Sequence, residues 1–260
     1  MNYLVVSVVS FLMSGLTLFS GFGLGTVLTP TFALFFPVPV AVAATAVVHL
    51  ANNCFKLVLV GRYADWRIVG RFSVPAVIGA FGGASLLSLT ASLPTLVVYH
   101  LGAREFQVTP VKVVIGALIV VFGWLEASRG FERLTFPPRY LFLGGLLSGF
   151  FGGLSGNQGA FRSAFLLKAG LDKQAFVGTN VVSSIIVDVI RLLVYGRSFF
   201  TQRVDMPDEI AGVVMAAIGS AFLGAWVGAR VLEQVTLRAV RATVATMLIV
   251  VGFGLVAGVI

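Results

Sequence analysis

The chain has 260 residues, of which 58% are hydrophobic and 11% charged, with a formal net charge of +8 and a mean hydropathy of +1.02. A soluble domain carries roughly 25% charged residues, so there is too little polar sequence here to cover a water-exposed surface, and the chain reads as an all-α polytopic membrane protein. The positive balance does not point to nucleic acid, because most basic residues lie in short loops between apolar segments, where they act as topology signals and lipid-headgroup contacts.

In chain order the apolar segments fall at 3–20, 26–36, 40–60, 71–91, 110–128, 139–153, 160–170, 175–196, 207–229 and 238–258. The start, Met1-Asn2-Tyr3-Leu4, has no basic region and no cleavage signature, and reads as retained structure. Segments 26–36 and 160–170 are too short to cross a hydrocarbon core of about 30 Å, and each follows a glycine-rich break. The first break is Gly21-Phe22-Gly23-Leu24-Gly25, and Thr26 opens the short helix after it. The second is Ser155-Gly156-Asn157-Gln158-Gly159, with Arg162 one turn later.

These features occur twice. An offset of 134 residues aligns Ser14-Gly15 with Ser148-Gly149, and 135 aligns Lys56 with Arg191 and Gly61 with Gly196. The expected organisation is a first membrane repeat over 1–128, a linker over 129–138 and a second repeat over 139–260. If 3–36 and 139–170 are helical hairpins that enter and leave on one side, each half adds three crossings, and the halves are inverted relative to each other. One face then collects Arg62, Arg67, Arg71, Arg129, Arg133, Arg139, Lys168, Lys173, Arg230, Arg238 and Arg241. The other keeps Arg104, Lys112, Arg197 and Arg203. Eleven against four follows the positive-inside rule, whereas eight simple crossings divide the same residues almost evenly. The crowded face is expected to be cytoplasmic, in a plasma (inner) membrane, with both termini outside.

Two polar stripes cross this apolar background. In 40–60, His49, Asn52, Asn53 and Lys56 share one helical face below Thr45. In 175–196, Ser184, Asp188, Arg191 and Tyr195 do the same above Thr179 and Asn180. Lipid cannot satisfy such stripes, so they face protein or a water-filled cavity. Buried cations at duplicated, interrupted segments point to anionic cargo. The expected binding set is Arg162, Arg191, Lys56, Gln158, Asn157, Asn53, Gly23, Gly25 and Gly159, the glycines letting backbone N–H groups at half-helix N-termini approach an anion. His49 and Asp188 are candidates for orienting Arg191 or coupling a proton. Blander readings stand beside these: Lys56 snorkelling to the interface, Arg191 neutralised by Asp188, His49 a satisfied interior histidine, Asn52 and Asn53 as interhelical glue.

The glycine break Gly21 to Gly25 running on to Pro30, the short helices ending at Pro30 and Gly170, the Thr45 and Thr179 helices, the closing Gly61 and Gly196, and the stretch Gly219 to Arg230 resemble the sulfite exporter TauE/SafE family of membrane permeases over nearly the whole chain. The resemblance implies a transporter of sulfur-containing anions such as sulfite or organosulfonates. The second break departs from the family signature in its Asn157-Gln158 and Arg162. A passive anion channel at the same site is the alternative. An intramembrane enzyme needs a nucleophile with a base or a metal cluster, and His49, His100 and Cys54 form neither. No cofactor is expected. The expected partners are a small anion, the lipid bilayer, a coupling proton or cation, and a second copy of the chain in a homodimer.

Overall fold

The computed structural model describes residues 1–20, 23–102, 104–128, 135–202, 207–231 and 237–260, with backbone alone at 17–20, 160, 200–202, 229, 231 and 237–243. Gly21, Arg129, Arg133, Arg203 and the side chains of Arg238 and Arg241 therefore lie outside the described residues. The helices are α1 (Asn2–Ser20), α2 (Leu24–Ala33), α3 (Val38–Val60), α4 (Trp66–Ala91), α5 (Pro110–Ala127), α6 (Leu141–Ser155), α7 (Gly159–Leu166), α8 (Lys173–Gln202), α9 (Ile210–Val231) and α10 (Leu237–Val256). Among the described residues, α3, α4, α5, α8 and α9 are long and apolar enough to cross a membrane.

The contacts fix the path of the chain. Asn2 Nδ2 donates to Glu209 Oε2 at 2.7 Å, Tyr3 lies against Gly212, and Val40, Ile210 and Tyr195 line one cavity. The start of α1 and the start of α3 thus sit at the same end of the bundle, so α1 and α2 enter and return. The second half repeats this. Leu141 at the start of α6 and Phe165 and Leu166 at the end of α7 share one apolar cluster with Ile68 and Phe72.

Helices pack across the halves in matching pairs. α4 and α6 run parallel with their backbones touching: a Cβ added at Gly149 would meet the Ala76 carbonyl, and one at Gly153 the Ala80 carbonyl. The counterpart pair is α1 and α9, also parallel, with Gly224 against the Phe11 carbonyl and Gly228 against Gly15. Such glycine contacts let helices gain dispersion energy where no hydrophobic effect operates between them. Two other helix pairs run antiparallel. In α3 and α8, Val60 and Ala64 meet Gly178 while His49 meets Asp188. In α5 and α10, Gly116 meets Gly252 and Gly123 meets Leu248.

Several boundaries differ from the sequence reading. α2 begins at Leu24, capped by Gly23 at φ 120°, and runs through Pro30 to Ala33. A proline costs one internal hydrogen bond, which a buried helix tolerates when the chain continues only one further turn. α7 stops at Leu166, ahead of Gly170. Gly196 does not close α8, which continues to Gln202. α4 starts at Trp66 because Asp65 caps it, accepting from Arg67 N at 2.9 Å and Ile68 N at 3.0 Å. Asp65→Ala is expected to remove about 1 kcal/mol, read as a lower melting temperature in detergent; an unchanged melt would show the cap to be redundant. The connection after α4 also forms an unforeseen antiparallel hairpin, β1 (Val97–Leu101) with β2 (Arg104–Val108).

Arg62, Arg67, Arg71, Arg139, Lys168, Lys173 and Arg230 gather at the end where α3 finishes and α4, α6 and α8 begin. Arg62 stacks on Tyr63, Arg139 on Tyr140 and Arg230 on Trp226, the amphipathic pairing favoured at a headgroup interface.

Candidate functional site

The two glycine breaks meet. A Cβ at Gly25 would stand 2.9 Å from the Gly156 carbonyl oxygen and 3.5 Å from His49 Cδ2. Thr29 Oγ1 donates to the Ser155 carbonyl at 3.2 Å, clasping α2 to the end of α6. Gly156 holds φ 84°, in the left-handed region, and a Cβ there would lie 3.1 Å from Arg191 Nη1 and 3.3 Å from Thr29 Oγ1. Glycine is required because the chain must reverse where two backbones and a guanidinium converge. Neither α2 nor α7 has a side-chain N-cap, so their first N–H groups have no side-chain acceptor.

Asp188 is the hub. Its Oδ2 lies 2.6 Å from His49 Nδ1 and accepts from Asn53 Nδ2 at 3.4 Å. Its Oδ1 accepts from Gln158 Nε2 at 3.1 Å and Arg191 Nε at 3.0 Å. Arg191 Nη2 stands 2.7 Å from the same oxygen as an ion-pair contact. One carboxylate thereby ties α3, the second break and α8 together. Arg191 also donates from Nη1 to the Gly152 carbonyl at 3.3 Å, and Tyr195 Oη donates to the Gly153 carbonyl. Arg162 donates from Nε to Asn180 Oδ1, and Ser148 Oγ donates to the Gln158 carbonyl at 3.0 Å.

The expected set is thus largely brought together. His49, Asn53, Gln158, Asp188 and Arg191 form one network, with Gly23, Gly25 and Gly159 at the helix starts beside it. Arg162 is within Coulombic reach of Asp188, Arg191 and Lys56. Lys56 is buried, at 5% exposed. Asn157 is buried with both amide atoms lacking a partner among the described residues. Asn52 leaves the group and accepts from Ser14 Oγ at 2.8 Å, and Thr179 accepts from Asp65 N at 3.0 Å. Neither Asn180, named with the second polar stripe, nor Thr29 was in the expected binding set. Asn180 carried a signal, since Asn180, Ser184 and Asp188 recur at every fourth residue on one face.

The charge balance is uneven. Among the described residues the buried cations are Lys56, Arg162 and Arg191, and the buried carboxylate is Asp188 alone. A cavity of about 290 Å³ between α3, α8 and α9 is no part of this group. Its α3 walls, Val40, Ala44 and Val47, stand on the helix face opposite His49, Asn53 and Lys56.

The family model for the sulfite exporter TauE/SafE matches residues 6–255. The chain belongs to this family. It is therefore an integral, multi-pass membrane protein of a permease family whose members are transporters rather than enzymes. A comparison with curated proteins finds no match.

Proposed function

We propose that the permease carries small anions, sulfur oxyanions or organosulfonates such as sulfite, bound where the two breaks meet between the halves. The burial of three cations, Lys56, Arg162 and Arg191, carries this reading. Charges in a membrane interior are costly and are retained where they bind or conduct. Arg162, Lys56 and Arg191 provide the field. Asn53, Asn157, Gln158 and the first N–H groups after Gly23, Gly25 and Gly159 provide donors. His49 and Asp188 are the pair at which a proton or cation would be coupled.

The halves act as inverted repeats in this proposal, and access alternates as one moves against the other. The antiparallel run of α3 against α8 and of α5 against α10 supports it. The arginine-rich end faces the cytoplasm of a cell whose inner membrane holds the protein, and both termini lie outside.

Sulfite at about 100 times its dissociation constant should stabilise the purified protein by about 2.7 kcal/mol, read as a rise in melting temperature. Arg162→Gln is expected to lose that rise and to lose sulfite flux in proteoliposomes. A variant that keeps both would remove Arg162 from the site.

A further inference from the structure

Three buried side chains of the first half hold polar atoms without a hydrogen-bond partner among the described residues: Ser10 Oγ on α1, and Thr45 Oγ1 and Asn52 Nδ2 on α3. Ser10 and Thr45 are fully buried, and Asn52 is 1% exposed. They share one seam. Ser14 Oγ donates to Asn52 Oδ1 at 2.8 Å, which fixes the faces that α1 and α3 turn to each other. Ser10 stands one turn before Ser14, and Thr45 two turns before Asn52, on those same faces. Both helices begin at the same end of the bundle, so the two hydroxyls lie on the approach from that end. His49 is one turn beyond Thr45.

The second half treats the same positions differently. The offset of 134 residues sets Ser14 on Ser148 and Thr45 on Thr179. Ser148 Oγ donates to the Gln158 carbonyl, and Thr179 Oγ1 accepts from Asp65 N. Backbone thus closes over the threonine at the arginine-rich end, and among the described residues nothing does so for Thr45 at the opposite end. A buried hydroxyl without a partner is costly, and water is the group that relieves such a site.

We propose that the seam of α1 and α3 holds a file of water running to His49 from the end where these helices begin, and that this file carries the coupling proton. The inference rests on the permease reading above and commits its coupling ion to a proton. Neutral hydroxyl and amide groups suit water, and the direct bond between Ser14 and Asn52 closes the seam just beyond His49. His49 Nδ1 faces Asp188 Oδ2 at 2.6 Å, so Nε2 is the nitrogen that takes a proton from water and gives it back. The charged groups around the ring are Asp188 and Arg191 of α8 and Arg162 of α7, with Lys56 two turns further along α3. α2 has no ionisable side chain, and those of α1 and α9, Tyr3 and Arg230, lie at helix ends.

The test uses proteoliposomes of the full chain with sulfite, sulfate and methanesulfonate, less the leak of protein-free vesicles. Wild type and Thr45→Ser are expected to show net uptake that a pH gradient accelerates in one polarity and opposes in the other. The double variant Ser10→Ala, Thr45→Val should lose this gradient dependence. It should keep the exchange of internal for external anion at equal pH, which needs no net proton movement, and its thermal stabilisation by the anion. Hydration is read separately, by radiolytic hydroxyl-radical labelling in a Cys54→Ser background. Thiols introduced by Ser10→Cys and Thr45→Cys should be oxidised, and one introduced by Ile115→Cys in the apolar core should not, which keeps the test decisive if the double variant does not fold. Unlabelled thiols at positions 10 and 45, wild-type uptake indifferent to the gradient, or a double variant that keeps the gradient dependence or loses exchange along with it, overturns this inference alone. No uptake or exchange of any of the three anions by wild type overturns the permease reading and the proton's role with it.

Discussion

Asp188→Asn is expected to leave little folded protein. The substitution removes the only buried carboxylate among the described residues and leaves Lys56, Arg162 and Arg191 facing one another. Breaking a buried ion pair on one side costs about 3–5 kcal/mol, a large part of the roughly 5–15 kcal/mol that holds a typical protein folded. The carboxylate's contacts with His49, Asn53 and Gln158 change as well, so the coupling between α3, the second break and α8 weakens at once. The measurement is the monodisperse fraction in detergent and its melting temperature. Asp188→Asn combined with Arg191→Gln should recover much of the loss, because the pair is then removed as a unit. A single variant as stable as wild type would show that Asp188 is not the hub of the network.

Gly25→Val is expected to abolish transport while the protein still folds. A Cβ at Gly25 already lies 2.9 Å from the Gly156 carbonyl oxygen, and two γ-methyl groups have no room beside His49. Overpacking of this kind typically costs 1–3 kcal/mol, a loss a folded protein can survive. The functional effect is larger, because the strain falls where the two breaks approach and where the first N–H groups of α2 are presented. Sulfite uptake by proteoliposomes should drop at least about a hundredfold, on the scale set by misplacing binding groups by about 1 Å, with a cooperative melt retained. Wild-type uptake would mean that the breaks do not have to touch during transport.

Much of this arrangement is written in the order of residues. The stripe His49, Asn53, Lys56 and its counterpart Ser184, Asp188, Arg191 follow from helical spacing alone, and all but the partly exposed His49 lie buried. The breaks at Gly23 to Gly25 and Gly156 to Gly159 are legible because glycine and polar residues interrupt otherwise apolar runs. Other features leave no such trace. Gly196 looks like a helix end, yet α8 runs on, since a glycine that keeps a right-handed backbone does not by itself stop a helix. The hairpin of Val97–Leu101 with Arg104–Val108 carries strand-forming residues but no alternation of burial that would mark a sheet. Asn52 shares the helical face of His49 but is taken by Ser14 of α1, because periodicity names a face and not the neighbour that covers it.

By itself the sequence determined which segments are apolar enough for a membrane, where the chain breaks, and that Lys56, Arg162 and Arg191 lie inside apolar stretches, because those properties depend on residue type and local spacing. The tertiary structure decided how the charges are shared. Only the antiparallel crossing of α3 and α8 brings Asp188 to His49 and Asn53, and only the meeting of the two breaks sets Gly156 beside Gly25 and Thr29. Electrostatic compensation depends on distance through space, falling with separation and rising as water is excluded. A carboxylate 139 residues from His49 in the chain therefore binds it directly, while Lys56, three residues from Asn53, is left without a counter-charge from its own helix.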